Sequence, residues 1–188
     1  LFRSRQFVLR VRSYPQCAIL PEAGPFAQYT LLKVNQNETK VLEQLQALPT
    51  LVEELNKQQP GAELTLSIAF TKAFWSKLDM AVPAELIDFP QLGEGDVVAP
   101  SSDVDVLIHC HSNRHDLHFY LLRKFFAQVS EDVAVIDETY GYRYLDSRDM
   151  TDFVDGTENP KDAQREEVAL IPQGEFCPLY TYDAAGRT

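Results

Sequence analysis

Two short stretches of this chain concentrate the side chains that could do chemistry. The first is TDFVDGTENP, residues 151–160, where Asp152, Asp155 and Glu158 recur at spacing three around Gly156. A calcium loop of the EF-hand type needs acids at alternate positions before its glycine and a distant bidentate Glu, so this spacing removes that reading. Two readings remain open on the residues alone. Asp155-Gly156 can form a tight turn in which Gly156 supplies positive φ and Asp155 caps local amides, which is the reading the residue types favour. Alternatively, a desolvated Asp155 with a raised pKa can serve as general acid and base.

The second stretch holds all four histidines of the chain within ten residues: His109, His111, His115 and His118. On a strand His109 and His111 point the same way, and His115 and His118 are three apart on a following helix. Two such pairs would bind zinc only if strand and helix brought them together. The competing reading is a set of structural or surface histidines at a strand end and a helix start. The acids Glu131, Asp132, Asp137 and Glu138, and those from Asp146 to Glu158, read as a solvated acidic rim.

The elements that position these residues follow from periodicity. AQYTLLKVN (27–35) reads as a strand. From Asn37, the apolar residues Val41, Leu42, Leu45, Leu48, Leu51, Val52 and Leu55 recur at helical spacing, and Pro49 predicts a kink or a two-piece helix. ELTLSIAF (63–70) alternates as a half-buried strand, and Phe74, Trp75 and Leu78 suggest a helical turn. Residues 83–103, rich in Pro, Gly and Ser, predict an ordered surface loop without an element. A strand over 103–110, a helix over roughly 114–129 and a strand region from Val133 towards Tyr144 complete the set. Strand, helix, strand, strand, helix, strand predicts a ferredoxin-like α+β sandwich, with a four-stranded antiparallel sheet and its helices on one face. The 151–160 stretch then sits in a loop just past the last strand.

Composition bounds the partners. With 188 residues, 45% hydrophobic and 11% aromatic, the chain can bury a core. Seventeen basic against 28 acidic residues give a formal charge of -11, which repels nucleic acid and anionic membranes. No apolar run approaches the roughly 18 residues that span a bilayer. Three dispersed cysteines, Cys17, Cys110 and Cys177, suggest neither a disulfide framework nor a zinc site, and fit a reducing cytoplasm. Residues 1–26 read as an irregular, partly basic leader, residues 27–150 as the ferredoxin-like domain, 151–175 as the motif and its connection, and 176–188 as an atypical tail.

The run YRYLDSRDMTDFVDGTENPKDAQREEVAL (142–170) closely resembles the central signature of the dye-decolorizing peroxidases, with PQCAILPE (15–22) and DVLIHCHSNRHDL (105–117) in further support. The resemblance implies two ferredoxin-like halves, haem b held mainly by the second, and oxidation of dyes and small aromatics by hydrogen peroxide. It assigns Asp155 as the distal proton shuttle, and Phe153, Val154, Gly156, Thr157 and Glu158 as the loop along the haem face and edge. It places the histidine cluster away from the iron, which leaves no metal ligand among the four. This chain departs from the pattern in carrying Asp152 where the motif opens with glycine. No histidine follows Asp155 to serve as proximal ligand, and the sequence beyond about Glu175 is unlike the family. The expectation is the N-terminal half of a haem peroxidase that has little activity alone and lacks the family's second domain. It is expected to be cytoplasmic and homo-oligomeric, without nucleic-acid or membrane partners. The alternative is a non-catalytic ferredoxin-like assembly module, whose exposed apolar face favours association.

Overall fold

The computed structural model describes residues 16–170, except positions 79, 85 and 155. The basic leader through Pro15, the tail from Ile171 and Asp155 therefore lie outside the described residues.

Four long strands form one antiparallel sheet: β1 (Phe26–Val34), β2 (Thr65–Phe70), β5 (Val106–Ser112) and β6 (Val133–Tyr142), in spatial order β2-β5-β1-β6. Helices α1 (Glu38–Gln58) and α3 (His115–Val129) pack together on one face. This is the expected ferredoxin-like arrangement. Alternation decides which side chains meet the helices. Along β1, Gln28, Thr30, Leu32 and Val34 are buried while Tyr29 is exposed; on β5, Val106, Ile108 and Cys110 are buried. Leu32 and Val34 of β1, Val106, Ile108 and Cys110 of β5, Leu66 and Ile68 of β2 and the apolar buried residues of both helices make one core that also takes in Phe74. Each buried Leu or Val contributes about 1.5–3 kcal/mol.

Two expectations need correction. Of the two alternatives at Pro49, the two-piece helix is overturned: α1 runs as one helix over 21 residues, because Val41, Leu45, Leu48, Val52 and Leu55 stay on one buried face on both sides of the proline. Packing of that stripe outweighs the missing backbone donor. Residues 83–103 are not wholly loop either. They contain a two-stranded hairpin, β3 (Gly93–Glu94) paired with β4 (Val97–Val98), whose turn uses Gly95 at φ 59°. The short α2 (Lys72–Trp75) realises the predicted helical turn, with the Thr71 hydroxyl accepting from the Phe74 amide.

Polar ties close the frame. Asp132, in the α3–β6 turn, accepts from Asn37 Nδ2 and Lys40 Nζ, both at 2.7 Å, so the start of α1 is fastened there. Asp105 is fully buried and takes the Val34 amide at 2.8 Å, with Lys33 and Lys77 neutralising its charge. The β2 edge is covered by side chains of the N-terminal loop (16–25). Gln16 bonds both the amide and the carbonyl of Ile68, and Cys17 Sγ does the same at Leu66. Such covering blunts an edge that would otherwise template another strand.

Candidate functional site

The segment after β6 doubles back on itself to present the 151–160 motif. Leu145, Asp146 and Ser147 all have positive φ, which turns the chain sharply before Arg148. Arg148 and Val154 then form an isolated antiparallel bridge, and the Arg148 guanidinium donates to the Asp152 carbonyl at 2.6 Å. Inside this small loop Asp149 is the organiser. Its carboxylate accepts from the Thr151 amide and hydroxyl, and its own amide donates to the Phe153 carbonyl at 2.9 Å. The Thr151 hydroxyl and amide hold the Asp149 carboxyl below the usual carboxylate range. The Asp-x-Thr spacing is a side-chain turn signal that reading the sequence passed over.

Two backbone positions explain residue choice. Gly156 has φ 74°, and a Cβ there would stand 2.8 Å from Asn159 Nδ2, so the expected turn glycine has both a conformational and a steric reason. Asp152 has φ 69°. The glycine that opens the resembled motif stands at a left-handed position, and aspartate is among the few other residues that tolerate it.

Of the expected site residues, Phe153 is 74% and Val154 48% exposed, and Thr157 and Glu158 are exposed beside Gly156. Met150 and Leu145 add further open apolar surface to the same loop. The structure thus brings Phe153, Val154, Gly156, Thr157 and Glu158 onto one exposed loop. The expected Asp155 lies between two of these positions, outside the described residues. Arg165, on the short helix α4 (Ala163–Ala169), ties the segment after the motif to the N-terminal loop. It donates to the Pro160 and Leu20 carbonyls and pairs with Glu22.

The histidines do not converge on a metal. Among the described residues, no group of three or more His, Cys, Asp or Glu is placed to hold one. His109 stacks on Tyr29 with centroids 4.3 Å apart. His111 Nδ1 accepts from the Gly24 amide at 3.1 Å, and His118 Nε2 lies 2.7 Å from Ser112 Oγ. His115 leans on Tyr140 and Phe26. Burial pushes the pKa of His109, His111 and His118 down, that of His118 to about 4.

Known proteins share both the sequence and the shape of this chain. Residues 16–143 match the family model described as Dyp-type peroxidase, N-terminal. A dye-decolorizing peroxidase of Brevibacterium linens is 32% identical over 183 residues, covering 91% of this chain and 49% of that protein. Among solved structures, a dye-decolorizing protein from V. cholerae is 67% identical with a TM-score of 0.77, over 81% of this chain and 51% of that one. A heme-bound variant of DypB from Rhodococcus jostii is 29% identical with a TM-score of 0.67, over 81% of this chain and 50% of that one. The chain spans about half the length of the relatives it matches.

Proposed function

The chain belongs to the Dyp-type peroxidase family, and on that premise we propose that it supplies the peroxide-handling loop of a dye-decolorizing haem peroxidase. The observation that carries this reading is the exposed 148–159 loop. Asp149 and Arg148 tie it back on itself by hydrogen bonds, it carries Phe153 and Val154 as open apolar side chains, and Gly156 keeps its backbone unencumbered. These residues fit one side of a flat apolar macrocycle: Phe153 and Val154 would lie against its face, Thr157 and Glu158 along its edge. They do not fit the iron itself, since His109, His111 and His118 are engaged elsewhere.

Haem, of the b type, supplies when bound the redox iron at which the peroxide bond is cleaved. Asp155 takes the proton from one peroxide oxygen and returns it to the departing one. A single carboxyl group suffices for that transfer when the pocket desolvates it. Dyes are the electron donors that the names of the relatives suggest, and the family resemblance adds small aromatic reductants.

No helix among the described residues is long and apolar enough to cross a membrane. Cys17 and Cys110 are free thiols, which supports a reducing, cytoplasmic working place. Exposed Val135, Ile136, Tyr140 and Tyr142 on β6 support self-association.

The test has two arms. Titrating the full chain with haem is expected to give a saturable Soret change that Phe153→Ala weakens. Peroxide-driven dye oxidation by the chain alone is expected to be slight, and once it is combined with a haem-holding half of a relative, Asp155→Asn is expected to lose about 10²–10⁴-fold in rate with unchanged haem affinity. Undiminished turnover in Asp155→Asn would remove the shuttle assignment.

A further inference from the structure

The end of β5 is held from both sides of the sheet by two histidines, one of which, His111, must be neutral at Nδ1 to make its contact, while the other, His118, is buried where a charge has no partner. His111 is 3% exposed, and its Nδ1 accepts the Gly24 amide proton at 3.1 Å, which requires that nitrogen to be bare. Gly24 lies flush against the Ser112 backbone, with no room for a Cβ, so this contact seats the whole N-terminal loop. On the helix side, Ser112 Oγ has three partners. It donates to the Arg114 carbonyl at 2.8 Å, accepts from the Arg114 amide at 3.0 Å and meets His118 Nε2 at 2.7 Å. With the Ser112 proton on the carbonyl, Nε2 donates and Nδ1 is bare; the other tautomer would bury an unpartnered N–H at Nδ1. That Nδ1 is buried and has no partner among the described residues. An added proton would land there with no acceptor, in a side chain that is fully buried.

We propose that the end of β5 is an acid-sensitive latch. With His111 and His118 neutral it holds the N-terminal loop on one side of the sheet and α3 on the other, and their protonation frees both. Protonated His111 turns its Nδ1 into a donor facing the Gly24 donor, so that bond is lost; protonated His118 strands a cation beneath α3.

The surrounding groups reinforce the latch. Around His118 stand His115 and Asp116 of α3, and His109 and His111 of β5. Only Asp116 favours the cation, and it is committed to Arg114. From β6, Tyr140 packs on His115 and Glu138 is held by Gln28 of β1, while α1 joins the shared core through Leu45, Leu48, Val52 and Leu55. His111 faces His109 at 5.8 Å between ring centroids, and Thr65 of β2 bonds its carbonyl. The Ala18 backbone bonds the His111 ring and favours its charged form, opposing burial. On the N-terminal loop Glu22 is neutralised by Arg165.

Release has a route to the motif. The loop that His111 seats also receives Arg143 at the Ala23 carbonyl and Arg165 at the Leu20 carbonyl and Glu22. These arginines stand on either side of the 148–159 loop. Only this consequence rests on the proposed function; the latch does not.

The experiment follows amide hydrogen exchange in the full chain, corrected for intrinsic rates, alongside an NMR titration of the histidine rings from pH 7.5 to 4. Protection at Gly24 and across residues 143–165 is expected to fall about tenfold or more as His111 titrates. His111→Gln keeps an acceptor and cannot titrate, and is expected to hold its protection, whereas His109→Gln behaves like the unsubstituted chain. Ring nitrogen shifts at pH 7.5 are expected to report bare Nδ1 on both His111 and His118. A Gly24 amide that stays protected once His111 is protonated, an Nδ1–H tautomer at His111, or an unchanged pH response in His111→Gln would each overturn the latch. No step requires haem or turnover, so failure of the peroxidase reading leaves the outcome legible.

Discussion

At the scale of single residues, Asp152 and Gly156 flank Asp155, the proposed proton shuttle, in the sequence and obey one backbone rule in different ways. Both are left-handed, at φ 69° and 74°. Gly156→Ala adds strain and a contact with Asn159, and is expected to destabilise the loop by about 1–2 kcal/mol, seen as faster limited proteolysis between 145 and 160. Asp152→Gly relieves a tolerated strain while loosening the unfolded chain, so global stability should shift by less than about 1 kcal/mol. It also removes a carboxylate from the loop proposed to face haem, whose own carboxylates repel it, so haem affinity is expected to rise. A haem titration of Asp152→Gly that shows weaker binding would count against that placement. The turn at Gly156 was legible because glycine is the residue type that its positive φ calls for. The hidden glycine position was not, because positive φ at an aspartate leaves no mark in composition. Recognition of Asp155 itself rested on resemblance, since one acid in an acidic run carries no distinguishing pattern.

Among the elements, strands and helices were readable wherever burial is one-sided. Alternation marked β1, β2 and β5, and the spacing of Leu117, Leu121, Leu122, Phe125 and Val129 marked α3. The reading failed where tertiary contacts overrule a local signal. Pro49 made a two-piece helix one of two expectations, yet α1 continues as one helix because five buried residues anchor it on both sides. That sets up a direct measurement. Pro49→Ala restores a donor to the Leu45 carbonyl and removes the ring from the helix interior, where proline costs about 3 kcal/mol against alanine. Part of that cost is already absorbed by local adjustment. A gain of about 1–3 kcal/mol in urea unfolding is expected, and a loss would mean that the proline fits a packing role on α1. The β3–β4 hairpin escaped notice for the opposite reason: two-residue strands with exposed side chains show no periodicity.

Across the whole molecule, acid should weaken the fold through its histidines before its carboxylates. His118 is fully buried, and desolvation first, then the neighbouring His115, His111 and His109, lowers its pKa from 6.5 to about 4. A histidine whose folded pKa lies below its unfolded value stays neutral in the native state while the unfolded chain binds a proton. The stability it contributes is complete above pH 6.5 and is lost as pH falls towards about 4. The carboxylates of Asp132 and Asp149 are shifted the other way, Asp132 chiefly by Lys40 and Asp149 chiefly by Thr151, so their contributions survive until pH falls below about 4. The interval from pH 6.5 to 5 therefore isolates the histidines. At about 1.4 kcal/mol per pH unit per proton, His118 accounts for a loss of about 2 kcal/mol across it. His109 and His111, also shifted down, add to that loss. Urea unfolding at the two pH values should show the drop in the unsubstituted chain and a drop smaller by about 2 kcal/mol in His118→Gln, whatever that substitution does to stability at neutral pH. Equal drops in both would mean that His118 is solvated at the β5 end, and that the proton has a partner after all.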